Sequence, residues 1–245
     1  MSVVTVEERG PVSVIAINRP EKLNAINKQV AIELQQAFAA FDRSPQRVAI
    51  LTGNGGRAFS AGADVTDLPE LWRCVPTVGI ATDKPIIAAV AGWCIGGGLV
   101  MAMMCDLLVA GETARFSYPE GKVGITGGMI AGLAARIPHK VAMELMLLGE
   151  PIDAARAYAV GLANRVVAPG REVEAAVEMA EKIVDLAPLA LAAMKRFVND
   201  GVLPKGPAEL AARYGGELAA VRDSDDAAEG IKAFREKRRP RYRGR

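Results

Sequence analysis

The amino-acid sequence predicts an α/β protein whose C-terminal part is purely helical. Three observations lead there. The first ninety residues alternate β-branched runs with helical spacing, the arrangement of a mixed or parallel sheet covered by helices. Two of the strand-like runs lead into glycine-rich loops. From Val173 onward the strand pattern stops and only helical spacing remains.

Taken in order, Val3–Val6 and Val12–Ile17 read as strands, and Gly10-Pro11 between them is a turn signal, so a hairpin is expected. Asn27 is placed to cap a helix in which Val30, Ala31, Leu34, Ala37, Phe38 and Phe41 recur at helical spacing. Val48–Thr52, Ile86–Val90 and Leu107–Ala110 read as further strands. Glu172–Leu186, Pro188–Asn199, Pro207–Val221 and Asp225–Glu236 read as helices, separated by Pro, Gly and Asp. Asp223-Ser224-Asp225-Asp226 supplies an N-cap and an acidic first turn to the last of them. Its apolar stripe, Ala227, Ala228, Ile231 and Phe234, suits packing on the body or on a neighbouring subunit. The simplest division is an α/β core over residues 1–190 and a helical section over 191–245, with no long linker between them.

Composition narrows the function. With 245 residues, 51% apolar and 24% charged, the chain is an ordinary globular protein with enough length for a sizeable core. The apolar stretch Pro85–Met104 is broken by Trp93 and by Gly96-Gly97-Gly98, so no membrane span is expected. Met1–Arg9 runs straight into a strand pattern without a basic and then apolar leader, so no secretory signal is read there. Three cysteines (Cys74, Cys94, Cys105) and a sole histidine, His139, are too few for a zinc site. No metal is expected, and a reducing cytoplasm is the natural setting. His139 sits at an expected helix start and does not support a Ser-His-Asp hydrolase.

The formal charge of +2 hides an asymmetry. Residues 231–245 hold eight of the 30 Lys/Arg and one of the 28 Asp/Glu, leaving 22 basic and 27 acidic side chains elsewhere. An acidic body carries a basic tail. Nucleic-acid binding would need a basic helix face, and the helix at 27–41 offers only Lys28 before its end, so no nucleic-acid partner is expected.

Two segments carry the chemistry. Ala58-Phe-Ser-Ala-Gly-Ala-Asp-Val65 follows one strand, and Gly92-Trp-Cys-Ile-Gly-Gly-Gly-Leu-Val-Met-Ala102 follows another. Consecutive glycines opening a helix leave backbone N–H groups bare, with the positive end of the helix dipole behind them. Such a site attracts a phosphate or a developing oxyanion, although close helix packing explains the glycines about equally well. Neither loop has the spacing of the dinucleotide or P-loop phosphate motifs.

Together with Asn18-Arg-Pro-Glu-Lys-Leu-Asn-Ala-Ile26, Lys84-Pro-Ile-Ile-Ala-Ala-Val90, Ala102-Met-Met-Cys-Asp106, Tyr118-Pro-Glu120 and Glu229-Gly-Ile-Lys-Ala-Phe-Arg-Glu-Lys-Arg238, these loops resemble the crotonase (enoyl-CoA hydratase/isomerase) superfamily. The resemblance runs over essentially the whole chain in the right order. It implies a spiral of repeated ββα units, a helical C-terminal section that builds a homotrimer or a dimer of trimers, and an acyl-coenzyme A thioester as substrate. No separate cofactor is implied, since coenzyme A is part of the substrate. Carried over, the resemblance makes the N–H groups of Ala63 and Gly97 the oxyanion donors for the thioester carbonyl. It sets Lys22, Ala25, Ala61, Asp64 and Val65 beside coenzyme A, with Phe234 and Lys237 reaching it from the tail, in some members across a subunit boundary.

The pattern departs from a hydratase at one point. Such enzymes use two glutamates, and the first, three residues beyond the oxyanion donor, is Val100 here. The second is present as Glu120, where burial can raise a carboxyl pKa toward neutrality. One acid/base favours moving a double bond within an enoyl thioester. Hydration remains the alternative if Tyr118, Asp67, Glu70 or Glu112 supplies a second proton carrier, and a catalytically silent acyl-CoA binder or an RNA-binding homologue is the alternative of another class. The segment from Asp64 to Lys84 is short for the family, and Leu68, Leu71 and Trp72 are candidates for the acyl-pocket wall.

Overall fold

A computed structural model describes residues 2–124 and 126–245. Its hairpin pairs β1 (Val4–Arg9) with β2 (Val12–Ile17) in antiparallel register, Val4 opposite Ile17 and Arg9 opposite Val12. Gly10 makes the turn at φ +58°, a conformation L side chains avoid. β1 exposes Thr5, Val6, Glu7 and Glu8, while all of β2 is buried. The charged strand is the sheet edge, where charge discourages pairing with another chain.

α1 (Lys28–Arg43) begins where Asn27 accepts the Val30 N–H on its side-chain oxygen at 3.0 Å. It buries Val30, Ala31, Leu34, Phe38 and Phe41. The chain then alternates long and short strands: β3 (Val48–Gly53), β4 (Ala58–Ser60), β5 (Ile86–Val90) and β6 (Trp93–Ile95). α2 (Gly97–Met104), β7 (Leu107–Gly111), β8 (Arg115–Ser117), α3 (Glu120–Val123), α4 (His139–Leu148), β9 (Ile152–Asp153), α5 (Ala154–Ala159) and β10 (Arg165–Val167) follow.

The long strands form one sheet in the order β1-β2-β3-β5-β7-β10, parallel apart from β1. The short ones form a second, β4-β6-β8-β9, antiparallel only at β9. Long strand, short strand, helix is thus the recurring unit, as in β5-β6-α2 and β7-β8-α3. β4 and β6 read as loop in the sequence, because three residues are too few to display alternation, whereas Phe116 of β8 reads as a strand end.

Side-chain alternation splits the core. Ile15, Ile17 and Leu51 face α1 and α2, whereas Val12, Val14, Val48, Ile50, Ile87 and Val109 face α6 (Glu172–Val184). α6 meets them with Ala175, Ala176 and Ala180, whose small side chains let the helix lie close on the sheet.

α7 (Pro188–Arg196) is shorter than the expected helix to Asn199, because Phe197–Val202 winds as a π-turn. Lys195 on α7 is tied to the core, its ammonium donating to the Asp106 carboxylate and the Lys84 carbonyl at 2.8 Å each. α8 (Pro207–Arg222) and α9 (Asp225–Arg235) complete the helical section, and Ser224 caps α9 by accepting the Ala227 N–H. Past α9 the chain turns at Lys237 (φ +53°) and doubles back. There the Glu229 carboxylate accepts from the Arg238 guanidinium, and the Asp226 carboxylate accepts the Arg243 and Gly244 N–H groups at 2.6 and 2.7 Å. Among the described residues, no helix is long and apolar enough to cross a membrane.

Candidate active site

The loop after β4 is stitched to the segment that precedes α1. Ala61 N–H donates to the Leu23 carbonyl, Ile26 N–H to Gly62 and Asp64 N–H to Ile26, at 2.8–2.9 Å. Ser60, buried, donates its hydroxyl to the Asn24 carbonyl and accepts the Gly62 N–H. Ala63 N–H is left over, finding no acceptor among the described residues. Asp64 fixes the loop's exit. The Thr66 hydroxyl and N–H, with Arg19 at 3.2 Å, hold its carboxyl below the usual carboxylate range. Arg19 also donates to the Ala25 carbonyl, so one guanidinium joins both segments.

The three glycines at the head of α2 face three different neighbours. A side chain on Gly96, which caps the helix at φ +54°, would overlap the Glu120 carboxyl. On Gly97 a Cβ would lie 2.9 Å from a Leu71 methyl and 3.6 Å from the Ala63 nitrogen. On Gly98 it would lie 2.8 Å from the Ser60 Cβ. Close packing and bare N–H groups, two readings of the glycine run, are therefore both present. Gly97 N–H also lacks an acceptor among the described residues, and a Cβ on Gly62 would stand 3.4 Å from its nitrogen. Two unspent donors, from Ala63 and Gly97, are neighbours at the positive end of a helix buried along its whole length.

Glu120 reaches the same helix end at Gly96. β8 ends at Ser117, and Pro119 leads into α3 with Glu120 as its first residue. The Glu120 Oε2 is buried and finds no partner among the described residues. Burial pushes the carboxyl up to about 7, against the smaller opposite effect of its own N–H. Two residues back, the Tyr118 hydroxyl meets the Thr126 hydroxyl at 2.8 Å, and burial raises its pKa too. A half-buried carboxyl that changes charge near neutrality, beside two free N–H donors, can move a proton next to a group whose oxygen gains negative charge.

Val100 is buried at 2% exposure within the main core. Among the alternative proton carriers, Asp67 pairs with Lys28 and Glu70 with Arg73. Glu112 is exposed beyond β7. Tyr118 is the one whose pKa Glu120 influences.

Lys22, Ala25, Ala61, Asp64 and Val65 fall in the two stitched segments that carry Ala63. Lys22 is exposed, and Val65 is 65% exposed. Phe234 and Lys237 are not brought there. Phe234 is 86% exposed on α9, which packs against α8 and its own tail. Of the three candidates for the pocket wall, Leu71 touches the site, Leu68 is exposed, and Trp72 lies on Gly216 of α8. Arg19 and Ser60, which position the Ala63 loop, went unmarked in the sequence because their roles are contacts with segments 36 or more residues away.

Comparisons with known proteins agree with this architecture. The family model for Enoyl-CoA hydratase/isomerase matches residues 7–245. An (E)-benzylidenesuccinyl-CoA hydratase of Thauera aromatica is 37% identical over 98% of this chain and 99% of its own. A carnitinyl-CoA dehydratase of Salmonella typhi is 37% identical over 96% of each. Among solved structures, an enoyl-CoA hydratase from Mycobacterium tuberculosis H37Rv superposes over the full length of both chains with a TM-score of 0.77 at 37% identity.

Proposed function

This chain belongs to the enoyl-CoA hydratase/isomerase family of acyl-CoA enzymes, and from that premise we propose that it shifts a double bond in an enoyl-CoA thioester with Glu120 as its single acid/base. The observation that carries the reading is the Glu120 carboxyl seated against Gly96, one residue from the Gly97 N–H, with valine where a second glutamate would stand.

In this cycle the thioester carbonyl oxygen accepts hydrogen bonds from the Ala63 and Gly97 N–H groups, an oxyanion hole. Ionised Glu120 takes a proton from C2 of a 3-enoyl thioester. The C–H electron pair delocalises onto the carbonyl oxygen as a dienolate, which the two donors stabilise. Losing one such donor typically costs about 3–4 kcal/mol of barrier. Glu120 then returns the proton at C4, the double bond comes to lie between C2 and C3, and no atom is gained or lost. No separate cofactor enters the cycle.

Lys22, Ala25, Ala61, Asp64 and Val65 are assigned to the coenzyme A portion. The assignment is supported by their position on the segments that present Ala63. Phe234 and Lys237 are assigned to coenzyme A of a neighbouring subunit in a homotrimer or dimer of trimers. The exposed Leu189 of α7, with Phe197, Leu218 and Phe234 of the helical section, supports an assembly that covers them.

Hydration is the second reading, favoured by the activities in the names of similar proteins, a hydratase and a dehydratase. It needs a second group on the water, and Tyr118 is the candidate. Purified protein assayed on 3-enoyl-CoA and 2-enoyl-CoA separates the two. Isomerisation that falls at least 100-fold in Glu120→Gln, with little hydration of the 2-enoyl ester, supports the double-bond shift. Hydration at ordinary hydratase rates overturns it, and no turnover of either ester points to a silent binder.

A further inference from the structure

Two residues before Glu120, the Tyr118 phenol is buried in the main core. Its hydroxyl meets the Thr126 hydroxyl at 2.8 Å. Thr126 is held in its turn. Its oxygen accepts the Gly128 N–H at 3.1 Å, and a Cβ on Gly128, at φ +73°, would stand 2.8 Å from the Ala208 Cβ of α8. A line of contacts thus runs from the helical section through Gly128 and Thr126 to the phenol. Burial raises the phenol's pKa, the Thr126 hydrogen bond lowers it, and the nearby Glu120 charge raises it.

Around Glu120 the other ionisable side chains are engaged, neutral or exposed to solvent. On α3, the Lys122 ammonium donates to the Gly149 carbonyl at 3.4 Å, as does the Ser117 hydroxyl of β8 at 3.3 Å. On α4, which packs against α3, Glu144 pairs with Arg156, while His139 and Lys140 are exposed. On β6, burial holds the Cys94 thiol well above its ordinary pKa, so it is uncharged. α2 brings glycines to its head. Tyr118 is the remaining O–H donor nearby, and Thr126 occupies it, while the Glu120 Oε2 has no partner among the described residues.

We propose that Thr126 is a positioning residue for the reaction: its hydroxyl holds the Tyr118 phenol away from Glu120, so that the carboxyl meets substrate with no donor on it. The proposal rests on Glu120 as the acid/base of the acyl-CoA reading above. A carboxylate without donors is the stronger base, because a hydrogen bond to the charged form stabilises it and lowers its pKa. Released from Thr126, the phenol turns its O–H to the carboxylate and weakens it. Thr126 itself touches no reacting atom.

The test reads the Glu120 carboxyl directly in the full-length protein. Difference infrared titration follows the C=O band of the protonated carboxyl, with Glu120→Gln subtracted as the blank. In the parent the band should vanish with a midpoint at about 7. Thr126→Val should lower the midpoint by about one pH unit, while Thr126→Ser keeps the hydroxyl and the parent midpoint. Thr126→Ala removes the hydroxyl with less bulk and keeps the test decidable if the valine variant does not fold. Adding Tyr118→Phe to Thr126→Val removes the displaced donor and should return the midpoint to about 7. The rising limb of kcat/KM on 3-enoyl-CoA should shift with the midpoint, and its plateau should fall about threefold in Thr126→Val as the base weakens. A midpoint unmoved in the folded Thr126→Val or Thr126→Ala protein overturns the proposal, and so does one that stays lowered in the double variant. Midpoints that move as expected in a protein that turns over no enoyl thioester would support Thr126 as positioning the carboxyl and defeat the acyl-CoA reading instead.

Discussion

The Glu120 carboxyl occupies the space that a side chain on Gly96 would need. The positive φ of Gly96 dictates glycine at the head of α2, and a Cβ there would also oblige the Glu120 carboxyl, from 24 positions downstream, to move. Gly96→Ala should displace Glu120 and strain the helix cap together. Steady-state kinetics are expected to show kcat/KM on 3-enoyl-CoA falling at least 100-fold, with coenzyme A affinity nearly unchanged. Full activity in this variant would mean that the carboxyl works from another position.

The pH profile follows from the burial of Glu120. Proton abstraction needs the carboxylate, and burial holds its pKa at about 7. The logarithm of kcat/KM should rise with unit slope below pH 7 and level off above it. A profile flat from pH 5.5 to 8.5 would rule out Glu120 as the base.

Stability should run the other way. The ordinary pKa of 4.5 is raised in the folded protein, so the folded state keeps a proton that the unfolded state releases. That contribution is fully present below pH 4.5 and is lost as the pH rises through about 7. Glu120→Gln has no such dependence. It should equal the parent near pH 4.5 and exceed it by about 1–3 kcal/mol at pH 8, read from urea unfolding at both pH values.

Lys237→Ala tests the assignment of the basic tail. In the assembled protein, KM for the acyl-CoA ester should rise about threefold to tenfold at low salt, and the effect should shrink by 0.5 M salt through screening. An unchanged KM at low salt would leave Lys237 a solvated surface residue.

Local rules made much of the fold legible. α1 declared itself through its Asn27 cap and its buried stripe, and β2, β3 and β5 through runs of β-branched residues. β4 and β6 did not, because three residues in a second sheet have no pattern of their own to show. The end of α7 was overestimated because Phe197 and Val198 continue its apolar spacing while the backbone loosens into a π-turn. At the site, the glycine run pointed to a helix head with bare N–H groups, and the resemblance to a family supplied Ala63 and Glu120 as candidates. The seating of Glu120 on Gly96 and of Leu71 on Gly97 lay beyond reach. Each is a contact between distant segments, and neither residue type carries a mark of it.

Glycine runs usually signal a backbone that can bend. At Gly96-Gly97-Gly98 a carboxyl, a leucine and a serine each lie where a side chain on the respective glycine would stand, so the run is packed on three sets of neighbours. This triplet is better thought of as a keyed joint than as a hinge. Inserting or deleting one residue would hand each partner the wrong glycine, so the spacing of the run is as much a requirement as its composition. Motion needed to admit a substrate then falls to other parts of the chain, and amide exchange at Val100, whose N–H donates to the Gly96 carbonyl at 3.0 Å, should be among the slowest in the protein.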